Sequence, residues 1–465
     1  MPVRSPIAAA AEKTSLTPGQ YLAMCMPLVL AALSTPLLGA VDTAVVGRLP
    51  EPVYIGGVAV ASMTFNTLYW VLGFLRMSTS GFSAQAFGSR DQSEMVMTLA
   101  RPVVLAILFG LLFIVFQTAI KEASLQLIQP SAAVGQQATL YFDIRIWGAP
   151  FVLVNYAILG WMIGSSNVRM ALFLQVFMNL LNVCLSVLFV LGLGLGVQGV
   201  AGASLIAEIM TLCLGLIVVY RRLPTSIGQL DWRQLMDRTP IARMAILNRD
   251  LLIRTLCILA MYLLFTAYGA RMGETNLAAN AILLQIHLLM ACAFDGMGNA
   301  NSALVGRAIG ERNSRLYNDT IKSSAIFSSG ISVSFGTLFF LYGDNILFLF
   351  TGLPEVILEA SRYKPWLSLF PVIACIGLSL NGVFSGATRA GPLRDSLIIA
   401  LILYVAANWI LIPIWGNHGL WASFTLFYLF RSLYLRLSLP GLKKMIVAGS
   451  ESPAHAAGSA RCAAR

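Results

Sequence analysis

The apolar residues of this chain gather in long, nearly uninterrupted runs that short polar connections separate. A run of about 20 apolar residues is long enough to cross a bilayer as a helix. The pattern therefore predicts an all-α polytopic membrane protein with twelve spans. The predicted spans are 20–46, 53–77, 96–119, 138–160, 168–192, 196–220, 246–270, 277–299, 320–342, 357–381, 393–415 and 419–440.

The second half of the chain repeats the first. Gln85–Asp91 follows the second span, and the similar Arg307–Asn313 follows the eighth. The offset from Gln85 to Arg307 also pairs Tyr141 with Tyr363, Gly160 with Gly382, and Gly164 with Gly386. Six is an even number of spans, so both halves have the same orientation. We predict two six-helix lobes related by a pseudo-two-fold axis along the membrane normal, a common plan among transporters.

The longest polar connection divides the two predicted lobes. The predicted organisation is a cytoplasmic N-terminal tail (1–17), an N-terminal lobe (18–222), a cytoplasmic connection (223–245), a C-terminal lobe (246–442) and a cytoplasmic C-terminal tail (443–465).

Composition and charge support a membrane protein. Of the 465 residues, 58% are hydrophobic and 11% are charged, whereas soluble domains carry about 25% charged residues. The formal net charge of +11 comes from basic residues concentrated in alternate short connections. The positive-inside rule then places both termini in the cytoplasm. This distribution explains the charge without a nucleic-acid partner.

The stretch Pro27–Gly47 carries the most informative charge. Asp42 is its single ionisable residue, and Pro27 and Pro36 each remove a backbone hydrogen bond from the helix. A carboxylate within such a helix costs about 2.5–3.5 kcal/mol on insertion scales, so it usually has a function. Asp42 is therefore interpreted as an ion-coupling residue on a bendable helix. The alternative is a carboxylate near the helix end that extends to the interface.

The fifth and sixth spans offer polar partners for this carboxylate. Asn179, Asn182 and Ser186 follow each other at helical spacing, and Ser204 lies four residues before Glu208. Together with the aspartate, these residues could exchange a proton or bind Na⁺. For each amide or hydroxyl alone, the alternative is an interhelical hydrogen bond that contributes about 0.6 kcal/mol.

Four other charges lie within or beside predicted spans. Arg145 and Arg254 lie near the starts of the fourth and seventh spans, where they are boundary charges or interlobe ion-pair partners. Arg76 and Asp295 lie near the predicted cytoplasmic ends of the second and eighth spans. We expect these two residues to pair across the lobes as an inner gate.

Several enzyme classes are excluded on motif grounds. The chain has no GxxxxGK[ST] phosphate loop, no HExxH and no metal-spaced Cys/His cluster. We therefore expect no ATP hydrolysis, no metal and no cofactor. The energy source would be an ion gradient.

The sequences of several segments resemble those of the MATE (multidrug and toxic compound extrusion) family. These segments are PLLGAVDTAVVGRL at 36–49, VYIGGVAVASM at 53–63 and FLRMSTSGFSAQAFG at 74–88. These segments are most similar in sequence to members of the DinF branch. The resemblance implies a twelve-helix antiporter that exports amphipathic, often cationic, small molecules in exchange for H⁺ or Na⁺.

The resemblance also assigns roles to individual residues. Asp42 matches the family's first-span aspartate, implicated in cation coupling, and Pro27 matches the proline at its proposed bend. Asn182 matches an amide of the same site, and Ser204 replaces a usual threonine. Ser186 stands where many relatives have an aspartate, which weakens a two-carboxylate Na⁺ site. H⁺ is therefore favoured over Na⁺ as the coupling ion.

Two rival functions remain from the sequence. A flippase for lipid-linked sugars would need a strongly basic central cavity, and few arginines are expected at mid-membrane depth. An intramembrane enzyme or receptor-like scaffold would need a nucleophile, a metal or a large soluble domain. We expect a multi-pass protein of the bacterial inner membrane that acts as a monomer in the lipid bilayer on small-molecule substrates.

Overall fold

The computed structural model describes residues 16–49, 51–222 and 232–451, most of which form helices. The helices are α1 (Pro18–Val46), α2 (Pro52–Val71), α3 (Phe74–Ser89), α4 (Gln92–Val115), α5 (Gln117–Ile128), α6 (Ala132–Arg145), α7 (Ala149–Gly164), α8 (Val168–Val187), α9 (Gly196–Arg222), α10 (Trp232–Leu235), α11 (Arg238–Ala270), α12 (Glu274–Gly310), α13 (Ser314–Phe348), α14 (Pro354–Gly386), α15 (Gly391–Trp415) and α16 (Asn417–Glu451).

These helices form twelve crossings. α2 and α3 together make one crossing, and α6 and α7 make another, while α5 and α10 belong to connections. Ten segments are long and apolar enough to span a membrane, and α1 and α16 bring the number to twelve. Several helices extend beyond their predicted spans. For example, α11 begins at Arg238, within the predicted connection, where the Asp237 carboxylate accepts a hydrogen bond from the Thr239 amide at 3.0 Å.

Two crossings are interrupted near their middle. α2 ends before Leu72 and Gly73, and α3 continues from Phe74. A short 3₁₀ segment, Ile146–Gly148, separates α6 from α7. Pro150 follows this segment and has no N–H to continue the α-helical hydrogen bonds. The apolar pattern did not predict either interruption, because it continues through both.

The backbone shows the repeat directly. Arg90 and Arg312 both adopt the left-handed conformation at a helix end, with φ of 58° and 52°. Ser166 and Thr388 do the same, with φ of 62° and 53°. The members of each pair are separated by the offset found in the sequence. Uncommon backbone conformations recurring at this spacing support the predicted two-lobe repeat.

Glycines allow corresponding helices to cross closely in each lobe. In the N-terminal lobe, a Cβ at Gly160 of α7 would lie 2.5 Å from the Arg76 carbonyl oxygen of α3. In the C-terminal lobe, a Cβ at Gly382 of α14 would collide with the Gly298 carbonyl oxygen of α12. Both the glycines and the positions that they contact are equivalent under the repeat.

The two lobes meet where α3 packs against α12 and α14. The hydroxyls of Ser80 and Ser302 lie 3.4 Å apart, and these residues are equivalent positions of the repeat. Further towards the end of α3, Gln85 Nε2 donates to the Gly386 carbonyl at 3.0 Å and to Thr388 Oγ1 at 3.2 Å. The lobes are therefore closed against each other on the side that the sequence predicts to be cytoplasmic.

Helix α1 contacts both lobes. It packs against α8 of its own lobe and against α12 of the other. Gly296 of α12 has no room for a Cβ because the Val29 backbone lies there. Nearer the start of α1, Tyr21 Oη donates to Asn301 Oδ1 at 2.8 Å. A change in the shape of α1 would therefore act on both lobes.

Candidate functional site

A buried polar cluster joins α1, α8 and α9 in the N-terminal lobe. Asn179 Nδ2 donates to Ser34 Oγ of α1 at 2.8 Å. One turn further along α8, Asn182 Nδ2 donates to Ser204 Oγ of α9, also at 2.8 Å. Ser186 Oγ donates to Asn182 Oδ1 at 3.4 Å. The structure thus brings together four of the predicted coupling residues.

Helical spacing explains this cluster. Asn179, Asn182 and Ser186 are separated by three and four residues, so they share one face of α8. All three are buried, whereas Leu180 on another face is exposed. Ser34 is a member that the sequence reasoning missed. The signal was a lone hydroxyl in the apolar first span, about two turns before Asp42.

The coupling carboxylate itself is only partly placed. α1 runs as one continuous helix from Pro18 to Val46, through the positions of Pro27, Pro36 and Asp42. Pro27 is half-buried. The side chains of Pro36 and Asp42 lie outside the part of the structure that is described.

Glu208 does not join this cluster. Its carboxylate forms a two-pronged ion pair with the Arg145 guanidinium, with Oε2 and Nη1 2.5 Å apart. The same guanidinium lies over the Phe65 and Tyr69 rings, 5.7 and 5.6 Å from their centroids. Gly148 leaves room for the pair, since a Cβ there would lie 2.6 Å from Glu208 Oε2. Arg145 therefore pairs within its own lobe and not across the interface.

The other three predicted charges line one cavity between the lobes. Arg76 of α3, Arg254 of α11 and Asp295 of α12 border a space of about 100 Å³. Among the described residues, none of these three side chains forms an ion pair. The structure brings the predicted gate residues Arg76 and Asp295 to the same cavity without joining them directly.

Sequence reasoning missed two buried groups of the C-terminal lobe. Arg431 of α16 lies within electrostatic range of Arg254 and Asp295. Its position in the middle of the last predicted span was the available signal. His287 is fully buried, and its Nε2 lies 2.9 Å from Tyr262 Oη and 3.3 Å from Tyr428 Oη. Its helix neighbours gave no signal, since its partners lie on α11 and α16.

No group of three or more His, Cys, Asp or Glu side chains within the described ranges could hold a metal ion. A larger cavity, of about 410 Å³, lies at the ends of α1, α8 and α9 beside Arg169 and Arg222. None of the predicted site residues lines it. The polar cluster and the interlobe cavity are therefore the better candidates for function.

Two lobes of six membrane helices, with buried polar groups and a charged cavity between them, are the architecture of a membrane transporter. The MatE family model matches residues 27–188 and 251–414, one segment in each lobe. The chain therefore belongs to the MatE family, whose members are transporters and not enzymes. This finding confirms the family and the twelve-helix, two-lobe fold expected from the sequence.

Individual relatives agree with this assignment. The chain is 36% identical over 412 residues to DNA damage-inducible protein F of Escherichia coli, covering 89% of this chain and 90% of that protein. It is 25% identical to the probable multidrug resistance protein NorM of Bradyrhizobium diazoefficiens, covering 88% and 90%. A solved structure of a multidrug resistance MATE family transporter in an outward-facing conformation superposes with a TM-score of 0.83 at 18% identity, covering 93% and 98%.

Proposed function

We propose that this transporter exports amphipathic toxic compounds in exchange for protons, with Asp42 as the coupling carboxylate. The name of the Bradyrhizobium relative, a probable multidrug resistance protein, supports drug efflux. The resemblance to the MATE family implies that many substrates are cationic, and the charges of the interlobe cavity bear on that point.

The observation that carries this proposal is the 2.8 Å hydrogen bond from Asn179 to Ser34. It fastens the polar face of α8 to α1, the helix that contains Asp42. The same helix bonds to the other lobe through Tyr21 and Asn301. Protonation of Asp42 would change its hydrogen bonds and the bend of α1 near Pro27 or Pro36. Since α1 contacts both lobes, this change would reshape the cavity and release substrate outward.

The choice of H⁺ over Na⁺ rests on the ligands available. A Na⁺ site is strengthened by negatively charged oxygen ligands, and the described cluster around Asn182 supplies only neutral amide and hydroxyl oxygens. Ser186 contributes a hydroxyl where a second carboxylate would strengthen a cation site. A single carboxylate is sufficient for proton exchange.

The test is substrate accumulation in everted vesicles under an imposed H⁺ or Na⁺ gradient. We expect the H⁺ gradient to drive accumulation by the wild type and Asp42→Asn to abolish it. Asp143→Asn is the matched control because this side chain is 50% exposed at the end of α6. Full activity of Asp42→Asn, or stimulation by Na⁺ alone, would contradict the proposal.

We also propose the setting in which this activity occurs. The protein would act as a monomer in the bacterial inner membrane with both termini in the cytoplasm. The distribution of Lys and Arg among the connections supports this orientation. The lobe contacts at the ends of α3 and α12 would then close the cytoplasmic side and leave the structure open outward.

A further inference from the structure

The interlobe cavity carries an excess of positive charge. Arg76 and Arg254 line it, and Arg431, which does not line it, lies within electrostatic range of Asp295. Two guanidinium groups at the cavity wall and a third within electrostatic range thus accompany one carboxylate between the lobes. Buried charges are costly unless they are paired, so such residues usually mark a binding site.

Part of the hydrogen-bonding capacity of Arg254 and Arg431 is unused among the described residues. Arg431 is 2% exposed, yet its Nε and Nη2 have no hydrogen-bond partner among the described residues. Arg254 Nε is likewise unpartnered, and its Nη1 reaches only the Met77 sulfur, at 3.5 Å. A thioether sulfur is a weak acceptor. Three buried donor atoms are therefore available to an acceptor from outside the chain.

Asp295 is not that acceptor. It forms no ion pair with the described residues, and its side chain is exposed although it lies well within α12, because it borders the cavity. The repeat shows that the charges of Arg254 and Asp295 are specific to the C-terminal lobe. The positions of the N-terminal lobe equivalent to Arg254 and Asp295 are Ala32 and Gly73. A structural requirement of the lobe would appear in both copies.

The rest of the cavity wall is mixed, and its polar members are Thr255, Asn299, Ser302, Asn381 and Ser385. Trp70, Phe74 and Met77 line it beside the arginines. The Trp70 ring lies 6.0 Å from the Tyr262 ring of the opposite lobe. A volume of about 100 Å³ accommodates a compact group, roughly three water molecules in size. The wall suits a small anionic head group attached to an apolar body.

We propose that this cavity binds the anionic head group of an amphipathic substrate through Arg76 and Arg254, with Arg431 adding positive charge within electrostatic range. The inference rests on the proposed export of amphipathic compounds, and it replaces the cationic substrates expected from the resemblance with anionic ones. A sulfonate, carboxylate or phosphate oxygen accepts the unused guanidinium hydrogens. Asp295 limits affinity for the anion and so permits its release.

The test is equilibrium binding to the full-length protein in nanodiscs, without any ion gradient. Two fluorescent dodecyl probes carry the same nitrobenzoxadiazole label and differ only in head group, sulfonate or trimethylammonium. We expect the wild type to bind the sulfonate more tightly. Arg254→Gln and Arg431→Gln each weaken sulfonate binding by about tenfold or more, without weakening trimethylammonium binding. Arg249→Gln, on the same helix as Arg254 but with a 59% exposed side chain, leaves both unchanged.

Asp295→Asn keeps the test decisive if a buried arginine variant fails to fold. This side chain faces the cavity, and removing its charge should tighten sulfonate binding. Unchanged sulfonate affinity in Asp295→Asn and Arg76→Gln, or loss of trimethylammonium binding in Asp295→Asn, would overturn the proposal. Binding of labelled phosphatidylglycerol is measured in the same way as a second part of the experiment. Arginine-dependent binding of this lipid in place of the dodecyl sulfonate would identify a lipid as the source of the head group.

The same assay separates this inference from the proposed antiport. Asp42→Asn should lose gradient-driven transport and keep sulfonate binding. If the wild type binds the sulfonate but shows no proton-driven transport, the head-group site is supported and only the coupling mechanism is refuted.

Discussion

Glu208 shows how a single buried partner decides what a charged residue does. Its carboxylate neutralises Arg145 within the N-terminal lobe. Glu208→Gln would leave a buried guanidinium without its counter-ion, which typically costs about 3–5 kcal/mol. We expect the variant to melt at a clearly lower temperature than the wild type in detergent, as measured by intrinsic fluorescence.

A surface ion pair on the helix of Arg145 is the control for this effect. Asp143 pairs with Lys121 at 2.7 Å, and its side chain is half exposed. Asp143→Asn should cost less than about 1 kcal/mol. The double variant Arg145→Leu with Glu208→Leu should recover part of the lost stability, because no charge is left unpaired. A Glu208→Gln protein with normal stability but no proton-driven transport would instead make Glu208 a coupling residue.

Individual residues of the site show which contacts could be predicted from the sequence and which could not. Asn179, Asn182 and Ser186 could be placed on one helix face because their spacing is local. The pairing of Arg145 with Glu208 joins positions 63 residues apart. Such a contact depends on how α6 and α9 pack, which the spacing within either helix does not determine. Arg431 was missed for the same reason, since its charged neighbours lie on α11 and α12.

At the scale of helices, close crossings depend on glycine. Gly382→Ala would place a Cβ against the Gly298 backbone, which cannot move aside as a side chain could. Overpacking of this kind costs about 1–3 kcal/mol or more. We expect a lower yield of monodisperse protein and a lower melting temperature, and the same direction of change for Gly160→Ala in the other lobe.

Gly202 provides the matched control. It lies within α9, and no described atom lies within 4 Å of the position its Cβ would take. Gly202→Ala should be tolerated or stabilising by up to about 1 kcal/mol, because alanine is the better helix former. If Gly382→Ala were as stable as Gly202→Ala, the close crossing of α12 and α14 would be refuted.

The elements themselves were predictable to different degrees. Apolar runs identified the crossings, and short motifs recurring at one constant offset identified the repeat. The interruptions at Gly73 and at Ile146–Gly148 were not predicted, since hydropathy does not register a change in backbone hydrogen bonding. A glycine, or a proline such as Pro150, inside a long apolar run would have indicated where to look.

At the scale of the whole molecule, the proposed export predicts that the two lobes separate where they now meet. The hydroxyls of Ser80 and Ser302 lie 3.4 Å apart, one from each lobe. In a background lacking the seven native cysteines, Ser80→Cys with Ser302→Cys should form a disulfide on oxidation, since the two side chains face each other at short range. We expect this bond to abolish transport in vesicles and a reducing agent to restore it. Each single cysteine variant should remain active under oxidation. Full transport by the cross-linked double variant would show that substrate passes without separation of α3 from α12, and would refute alternating access through this interface.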